Sequence, residues 1–424
     1  MSTIKLKGDK IIWIIVLLLA LISVVAVFSS STYLANEAHV NKTIIFLEQI
    51  RSVLIGFLAL FICYLIPLGL YRTLAYTAFG ISIVMLILLY VPGFQDIKNG
   101  AVRGIKIGGR TIQVFEFAKV GLILYLAKTI EKLKNITSFK VFAKWLLFPI
   151  ALVCGLVMVN SFSSAVLFGL ISFLLLFLVE VKFKYLAISI GSIIAVVLLL
   201  FGIYNMIYDN SKSNSIEKEN KESGIAENFF KRFGTVQSRL LKFKEEIKDN
   251  EGSVTTELTK ADIDEMRQSE NAKIAISGGK LFGKGPGKST QRHSLSMAFS
   301  DFIYAFIIEE YGLFGGIIVI LLYLMFLFRC IRISKRCTEL FSGSLVLGLA
   351  FLISTQAFLH ILVNVRLMPI TGHTLPLISH GGTAYLVLCG AFGMILSVSK
   401  KLDFQDKQRE IKEEKAEVAT EKDI

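Results

Sequence analysis

Apolar residues in this chain gather into long runs broken by short polar turns, and the runs match the ~20 residues that a helix needs to cross a bilayer. They fall at about 11–29, 49–70, 72–92, 112–128, 144–160, 164–180, 185–207, 301–328, 342–363 and 382–399. This predicts an all-α polytopic membrane protein of about ten transmembrane helices. The count turns on 112–128, which is short and carries Glu116 and Lys119. Were that stretch only an interfacial helix, every later loop would change side. The first run, IIWIIVLLLALISVVAVF after MSTIKLKGDK, has the basic flank of a signal peptide. It is too long for a signal core and shows no small-x-small cleavage site, so it reads as a retained anchor.

Basic residues test the sidedness, because cytoplasmic loops carry an excess of Lys and Arg. With residues 1–10 inside, the inside loops hold Arg72, then Lys128 to Lys144, then Lys182 and Lys184, then Arg329 to Arg336, and finally the tail from Lys400. Spans in that number with both termini cytoplasmic satisfy the pattern. The chain then divides into a cytoplasmic N terminus (1–10), helices 1–7 (11–207), a large extracytoplasmic loop between helices 7 and 8 (208–300), helices 8–10 (301–399) and a charged cytoplasmic tail (400–424). Two outer segments break the rule. One is DIKNGAVRGIKIGGR (96–110), with Lys98, Arg103, Lys106 and Arg110; the other is the 208–300 loop.

Composition agrees. Of 424 residues, 54% are apolar and 19% charged, against about 45–50% and roughly 25% in soluble domains, which disfavours a soluble enzyme. The net charge of +13 would suit nucleic acid, but basic flanks of spans give the same total, so no nucleic-acid partner is expected. Five scattered cysteines, four inside apolar runs, form no CxxC pair and no His cluster. Neither a disulfide framework nor a zinc site follows.

The 208–300 loop changes character along its length. DNSKSNSIEKENKESGIAEN is polar and of mixed charge, and FFKRFGTVQSRLLKFKEEIKDNEG reads as a basic amphipathic helix at the membrane surface. NAKIAISGGKLFGKGPGKSTQRHSLSMAFSD is dense in Gly, basic residues and hydroxyls. Its glycines let backbone N–H groups turn towards an anion, with Lys284, Lys288 and Arg292 adding charge. GKGPGKST is superficially a Walker A loop, but that motif follows a buried strand and opens a helix, and this segment is expected outside the membrane.

Charged groups within spans cost at least ~2.5–3.5 kcal/mol at the centre and mark interior cavities. Glu116 and Lys119 lie three apart on one helix face and can pair, structurally or functionally. Asp301, Glu309 and Glu310 open the span SDFIYAFIIEEYGLFGG, with Asp301 at its outer end and the glutamates suited to bonding neighbouring helices. Asn364 and Arg366 open NVRLMPITGHTLPLISHGGT, whose prolines and glycines break any helix; such backbone is tolerated at membrane depth only against protein or a cavity. An outer carboxylate near basic residues on the wrong side suits sugar transfer from a lipid diphosphate. The basic groups stabilise the leaving diphosphate and the carboxylate accepts the proton of the attacking hydroxyl. Diphosphate leaves without an acid, so a single Asp suffices where a glycosidase needs two carboxyls.

Three blocks resemble the SEDS (shape, elongation, division and sporulation) family of integral membrane peptidoglycan polymerases, which includes FtsW, RodA and SpoVE. They are NGAVRGIKIGGRTIQVFEFAKV (99–120), GKGPGKSTQRHSLSMAFSDFIYAFIIEEYGLFGG (283–316) and NVRLMPITGHTLPLISHGGT (364–383). The wording TGHTLPLIS is closer to the division-type FtsW branch than to RodA. The resemblance implies an outward cavity where lipid II is polymerised with release of undecaprenyl diphosphate. It implies that Asp301 is the general base. It also implies that Arg103, Glu116 and Lys119 of the first block, Gln291, Arg292 and Glu309 of the second, and Ser379 of the third, with Pro376, Gly381 and Gly382, serve the substrate. The implied partner is a class B penicillin-binding transpeptidase, with other divisome membrane proteins, at the septum of the cytoplasmic membrane. A divalent cation such as Mg could help neutralise the diphosphate, but no acidic pair at ligand spacing demands it.

Departures stand beside the resemblance. Gly104 replaces the usual Trp, Val114 a Pro and Phe299 a His, and NSFSSAV (160–166) lacks the Asp of the family's QPDLGTA. Loss of an aromatic beside Arg103 would weaken substrate packing or regulation. Two alternatives stay open: a scaffold that recruits the transpeptidase without catalysis, and a lipid II flippase in which Glu116, Lys119, Glu309 and Glu310 line a polar path.

Overall fold

The computed structural model describes residues 7–30, 42–91, 93–98, 101–107, 110–133, 138–178, 184–189, 191, 260–291 and 300–422. Most of the predicted span 185–207, the polar and amphipathic parts of the 208–300 loop, Arg292 and Phe299 lie outside the described residues. The chain runs α1 (Lys10–Ser30), α2 (Lys42–Leu65), α3 (Leu68–Leu88), β1 (Gln95–Lys98), β2 (Ala101–Ile107), β3 (Arg110–Ile112), α4 (Val114–Lys132), α5 (Phe139–Met158), α6 (Phe162–Leu178), α7 (Lys260–Gly279), α8 (Ile303–Arg336), α9 (Leu340–Asn364) and α10 (Gly382–Lys422). It forms two units. One holds Met1–Gly80, Lys119–Glu131 and Thr256–Ile424; the other holds Ile81–Ala118 and Lys132–Thr255.

Among the described residues, α1, α2, α3, α5, α8, α9 and α10 are long and apolar enough to cross a membrane, and α6 is a shorter apolar helix. The break between the second and third spans falls at Ile66–Pro67 and not near Arg72, because Pro67 has no N–H to continue the helix. Predicted 112–128 is the helix α4, 19 residues and ~28 Å long. From Ala118 to Ile130 only Lys128 escapes burial. A helix enclosed by protein needs no lipid-facing apolar surface, which is why its composition looked weak for a span.

The all-α expectation is corrected at 95–112. There β1, β2 and β3 form an antiparallel sheet in that order, with Gln95 opposite Ile105 and Ile105 opposite Ile112. The local signal is alternation: Ile105 is buried and Lys106 exposed on successive positions. A bulge at Asp96/Ile97 bends β1, and Thr111 Oγ1 donates to Asp96 Oδ2 at 2.7 Å.

In the first unit, α2 and α10 approach through glycines. A Cβ on Gly393 would lie 2.3 Å from Leu60 O, and one on Gly56 2.7 Å from the Tyr385 ring. Small residues let membrane helices pack backbone to backbone. One face of this unit is tied by polar groups. Asp9 caps α1 by accepting from Ile11 N (2.9 Å) and Ile12 N (3.3 Å). Its other oxygen accepts from Arg329 of α8 at 2.9 and 2.5 Å. Asp9 N donates to Ser399 Oγ (2.8 Å) and Gly8 N to Asp403 Oδ2 (2.9 Å), so the start of α1 meets the middle of α10 on this face. Lys401 binds Glu339, between α8 and α9, at 2.7 Å, and Arg336 binds Asp406.

The segment 365–381 folds back into the unit. Tyr323 OH donates to Pro376 O, Ser23 Oγ to Ile378 O at 2.8 Å, and Gln356 Nε2 to Thr374 O at 3.2 Å. Ser23 lies 14 residues beyond Asp9, ~21 Å along α1, so the segment dips well into a hydrocarbon layer ~30 Å thick. Side-chain donors replace the hydrogen bonds that its irregular backbone lacks, as that depth requires.

Gly393→Val is expected to cost ~1–3 kcal/mol by overpacking and to lower the thermal midpoint in detergent. Gly155→Val, whose Cβ would meet nothing within 4 Å, should leave it unchanged. At Glu339, the Lys401 hydrogen bond holds the carboxyl below its ordinary value against the burial that would raise it. A depressed folded-state pKa gives stability that is present above the unfolded pKa of 4.5 and lost as pH falls through the folded value. Glu339→Gln should therefore flatten the loss of thermal stability below about pH 5, by at most ~1 kcal/mol for so exposed a pair.

Candidate functional site

The glycine-rich segment after α7 is spliced into α8. Gly312 has φ +71° inside α8 and breaks it. At 34 residues α8 would be ~51 Å long, more than a ~30 Å hydrocarbon core needs. Ile303 to Glu310 are all buried, whereas Leu313, Phe314, Ile317, Ile318 and Leu321 are exposed. The lipid-facing part therefore starts at Leu313, and Asp301 lies beyond an extra, protein-enclosed stretch of helix.

The break costs α8 two backbone bonds, and the loop replaces both. Leu313 N donates to Lys280 O (2.9 Å) and Phe314 N to Leu281 O (3.4 Å). The orphaned carbonyls of Glu309 and Glu310 accept from Lys284 N (2.9 Å) and Gly285 N (3.0 Å). Such closeness requires glycine: a Cβ on Gly279 would sit 2.0 Å from Ile308 O, and one on Gly283 2.2 Å from Glu310 O.

The loop does turn its donors towards an anion, but the anion belongs to the chain. Glu309 is 0% exposed. Its Oε1 accepts from Lys284 Nζ (2.6 Å), Thr290 N (3.0 Å), Thr290 Oγ1 (2.8 Å) and Gln291 N (3.4 Å), and its Oε2 from Ser289 Oγ. Glu310 Oε1 accepts from Ser29 Oγ of α1 (2.5 Å) and Gly287 N (2.9 Å). Lys284 is thus engaged by Glu309, and Glu309 lies behind the loop. Glu310 bonds a neighbouring helix, as its position suggested.

Asp301 is half-buried, just ahead of α8, where the helix N terminus favours a carboxylate. Its backbone is held from both sides. Ser379 Oγ donates to Ser300 O (2.7 Å) while accepting from Leu375 N (2.8 Å). Asn364 Nδ2 donates to Asp301 O (3.0 Å), and Asn364 Oδ1 accepts from Ala305 N (3.0 Å). Asn364 ends a buried polar face on α9, with Gln356 and His360 at four-residue spacing. His360 Nδ1–H donates to His373 O at 2.8 Å, since a carbonyl only accepts. Gln356 Oε1 accepts from Lys119 Nζ at 2.7 Å. Gln356 and His360 escaped notice as site residues, although STQAFLHILVN carries the signal: polar groups one turn apart inside an apolar run.

The other predicted residues are placed less closely. Glu116 is buried in the first turn of α4 and, like Arg103 on β2, belongs to the second unit. Gln291 follows the Glu309 clamp, and its Oε1 is buried without a hydrogen-bond partner among the described residues. Among those residues no three His, Cys, Asp or Glu side chains are placed together to hold a metal ion.

The departures have local explanations. A Cβ on Gly104 would lie 2.6 Å from Ile112 O and 2.8 Å from Thr111 Cγ2, so β3 closes the space a Trp side chain would enter. Val114 is the first residue of α4, a position that accepts proline or an ordinary residue. In place of an acidic block, Ser161 caps α6, its Oγ accepting from Ser164 N at 3.3 Å.

Residues 9–403 match the model of the FtsW/RodA/SpoVE family, described as a cell cycle protein. The probable peptidoglycan glycosyltransferase FtsW of Thioalkalivibrio sulfidiphilus is 31% identical over 399 residues, covering 91% of this chain and 88% of that protein. Stage V sporulation protein E of Bacillus subtilis is 29% identical, covering 94% and 99%. Among solved structures, a peptidoglycan synthase complex described as coordinating polymerization and crosslinking superimposes with TM-score 0.67 at 19% identity, covering 93% of this chain and 98% of that one. Thermus thermophilus RodA superimposes with TM-score 0.62 at 20% identity, covering 93% and 98%. These two share the fold.

Glu309→Ala would leave the Lys284 ammonium without its carboxylate, and breaking a buried pair costs ~3–5 kcal/mol; partial exposure of Lys284 puts the expected loss at the low end. The double variant Glu309→Gln with Lys284→Met should recover part of it, read as thermal midpoints in detergent.

Proposed function

Because the chain belongs to the FtsW/RodA/SpoVE family, we propose that it is a peptidoglycan glycosyltransferase of the division type, polymerising lipid II into glycan strands during septal wall synthesis. The observation that carries the catalytic assignment is the clamp on Asp301, whose flanking carbonyls are fixed by Ser379 and Asn364. Holding the backbone on either side of the base fixes the point from which its carboxylate reaches the substrate.

In this reading the 4-hydroxyl of the lipid II N-acetylglucosamine attacks C1 of the growing chain's N-acetylmuramic acid. Asp301 takes the hydroxyl proton as the new bond forms. The C1–oxygen bond to the diphosphate breaks with inversion, and undecaprenyl diphosphate leaves with its charge met by Arg103, Lys119 and Arg292. Gln356 orients Lys119 through its amide oxygen. Ser379 and Glu309 act as positioning residues, one holding the backbone ahead of Asp301 and the other the segment Ser289–Gln291. Glu116 and Gln291 complete the substrate side.

The polar face that gathers Asp9, Arg329, Arg336 and Lys401 is taken as the cytoplasmic one, because the segments that meet there carry Lys7, Lys10, Arg329, Arg332, Lys335, Arg336, Lys400 and Lys401. Both termini are then cytoplasmic, and the 208–300 loop lies outside between helices 7 and 8 of about ten spans in the cytoplasmic membrane. A class B penicillin-binding transpeptidase is the partner that crosslinks the product, in keeping with the fold shared with a polymerising and crosslinking complex. The complete bonding of Glu309 by the loop counts against a flippase path lined by that residue.

Purified protein with its transpeptidase should polymerise labelled lipid II. Asp301→Ala should reduce the rate by ~10²–10⁴-fold, the usual worth of a general base, without changing the elution profile. Undiminished polymerisation by that variant would overturn the base assignment. Lipid II translocation in proteoliposomes that is indifferent to Asp301→Ala would instead favour a flippase.

A further inference from the structure

The turn that splices into α8 carries two large apolar side chains that its hydrogen bonding leaves unused. Leu281 is 56% and Phe282 79% exposed. A soluble loop tip gains nothing from presenting such a pair to water. The Phe282 ring packs on Phe314, centroids 5.4 Å apart. Phe314 belongs to the exposed apolar stripe of α8 that continues through Ile317, Ile318, Leu321, Leu324 and Phe328, spaced for one helix face.

Depth decides what covers this patch. Arg329, bonded to Asp9, marks the inner polar boundary of α8, and Phe314 lies 15 residues further out, ~22 Å along the helix. The hydrocarbon core is ~30 Å thick. Phe314, and Phe282 against it, therefore lie below the outer surface of that layer. The exposed Lys280 and Lys288 flank the turn, with stems long enough to carry their charge up to lipid phosphates.

We infer that the Leu281–Phe282 turn is inserted among the acyl chains of the outer leaflet and anchors there the segment leading to Asp301. The loop that holds the candidate site is then wedged into the bilayer at one point, continuous with the lipid-facing surface of α8. Lipid tolerates backbone whose polar groups are bonded within the protein, and here the carbonyls of Lys280 and Leu281 accept from Leu313 and Phe314 of α8, while Gly283 N bonds Gly279 O at the end of α7 at 2.7 Å.

The full chain carrying Phe282→Trp, in nanodiscs of phosphatidylcholine and phosphatidylglycerol, tests this. The emission added over the parent, which has only Trp13 and Trp145, should fall markedly when acyl-chain-brominated phosphatidylcholine replaces the plain lipid, and should resist iodide. Quenching by iodide and not by brominated lipid would place the turn in water and overturn the proposal. Quenching by neither would mean that protein, such as a second copy, covers it, and would overturn it equally. An elution profile matching the parent's establishes that the variant is folded.

Discussion

A backbone that leaves a helix inside or beside a membrane must find new partners for every N–H and C=O it frees, because lipid supplies none. The break of α8 at Gly312 is where that demand is met most compactly. Two helix donors pass to the carbonyls of Lys280 and Leu281, and two helix carbonyls pass to the N–H groups of Lys284 and Gly285. Everything after Gly279 depends on this exchange. It fixes the path of 280–291, brings Lys284, Ser289 and Thr290 around the Glu309 carboxylate, and sets the point from which the chain continues towards Asp301.

Asp301 is secured by a separate set of bonds with the same logic. The re-entrant segment 365–381 is irregular, so its carbonyls are taken by side chains of α1, α8 and α9, and in return its Ser379 holds Ser300. The polar face Gln356, His360 and Asn364 joins Lys119 at one end to Asp301 at the other through bonds of 2.7 to 3.2 Å. A candidate base and a candidate phosphate-binding cation are thus referred to one rigid helix, α9. Preorganisation of this kind is what electrostatic stabilisation of a leaving diphosphate needs.

Much of this was legible in the residues themselves. Apolar runs marked the helices because lipid imposes a length, and the position of Asp301 followed from the place where a charged, glycine-rich stretch meets an apolar one. The sheet at 95–112 was not legible, since its alternation is short and interrupted by Gly104. Nor was the engagement of Lys284 and Glu309: glycine and lysine beside an anion look the same whether the anion is a ligand or a carboxylate 25 residues away in the same chain. Gly279, Gly283 and Gly312 gave a weaker clue, because glycine marks close backbone approach without naming the backbone approached.

The helix α10 runs unbroken for 41 residues, Gly382–Lys422. Its part beyond Ser399 extends ~34 Å, and that rod is rooted where Ser399 and Asp403 meet Asp9 and Gly8. The same root holds the start of α1 and, through Arg329 on Asp9, the inner end of the α8 whose outer end leads to Asp301.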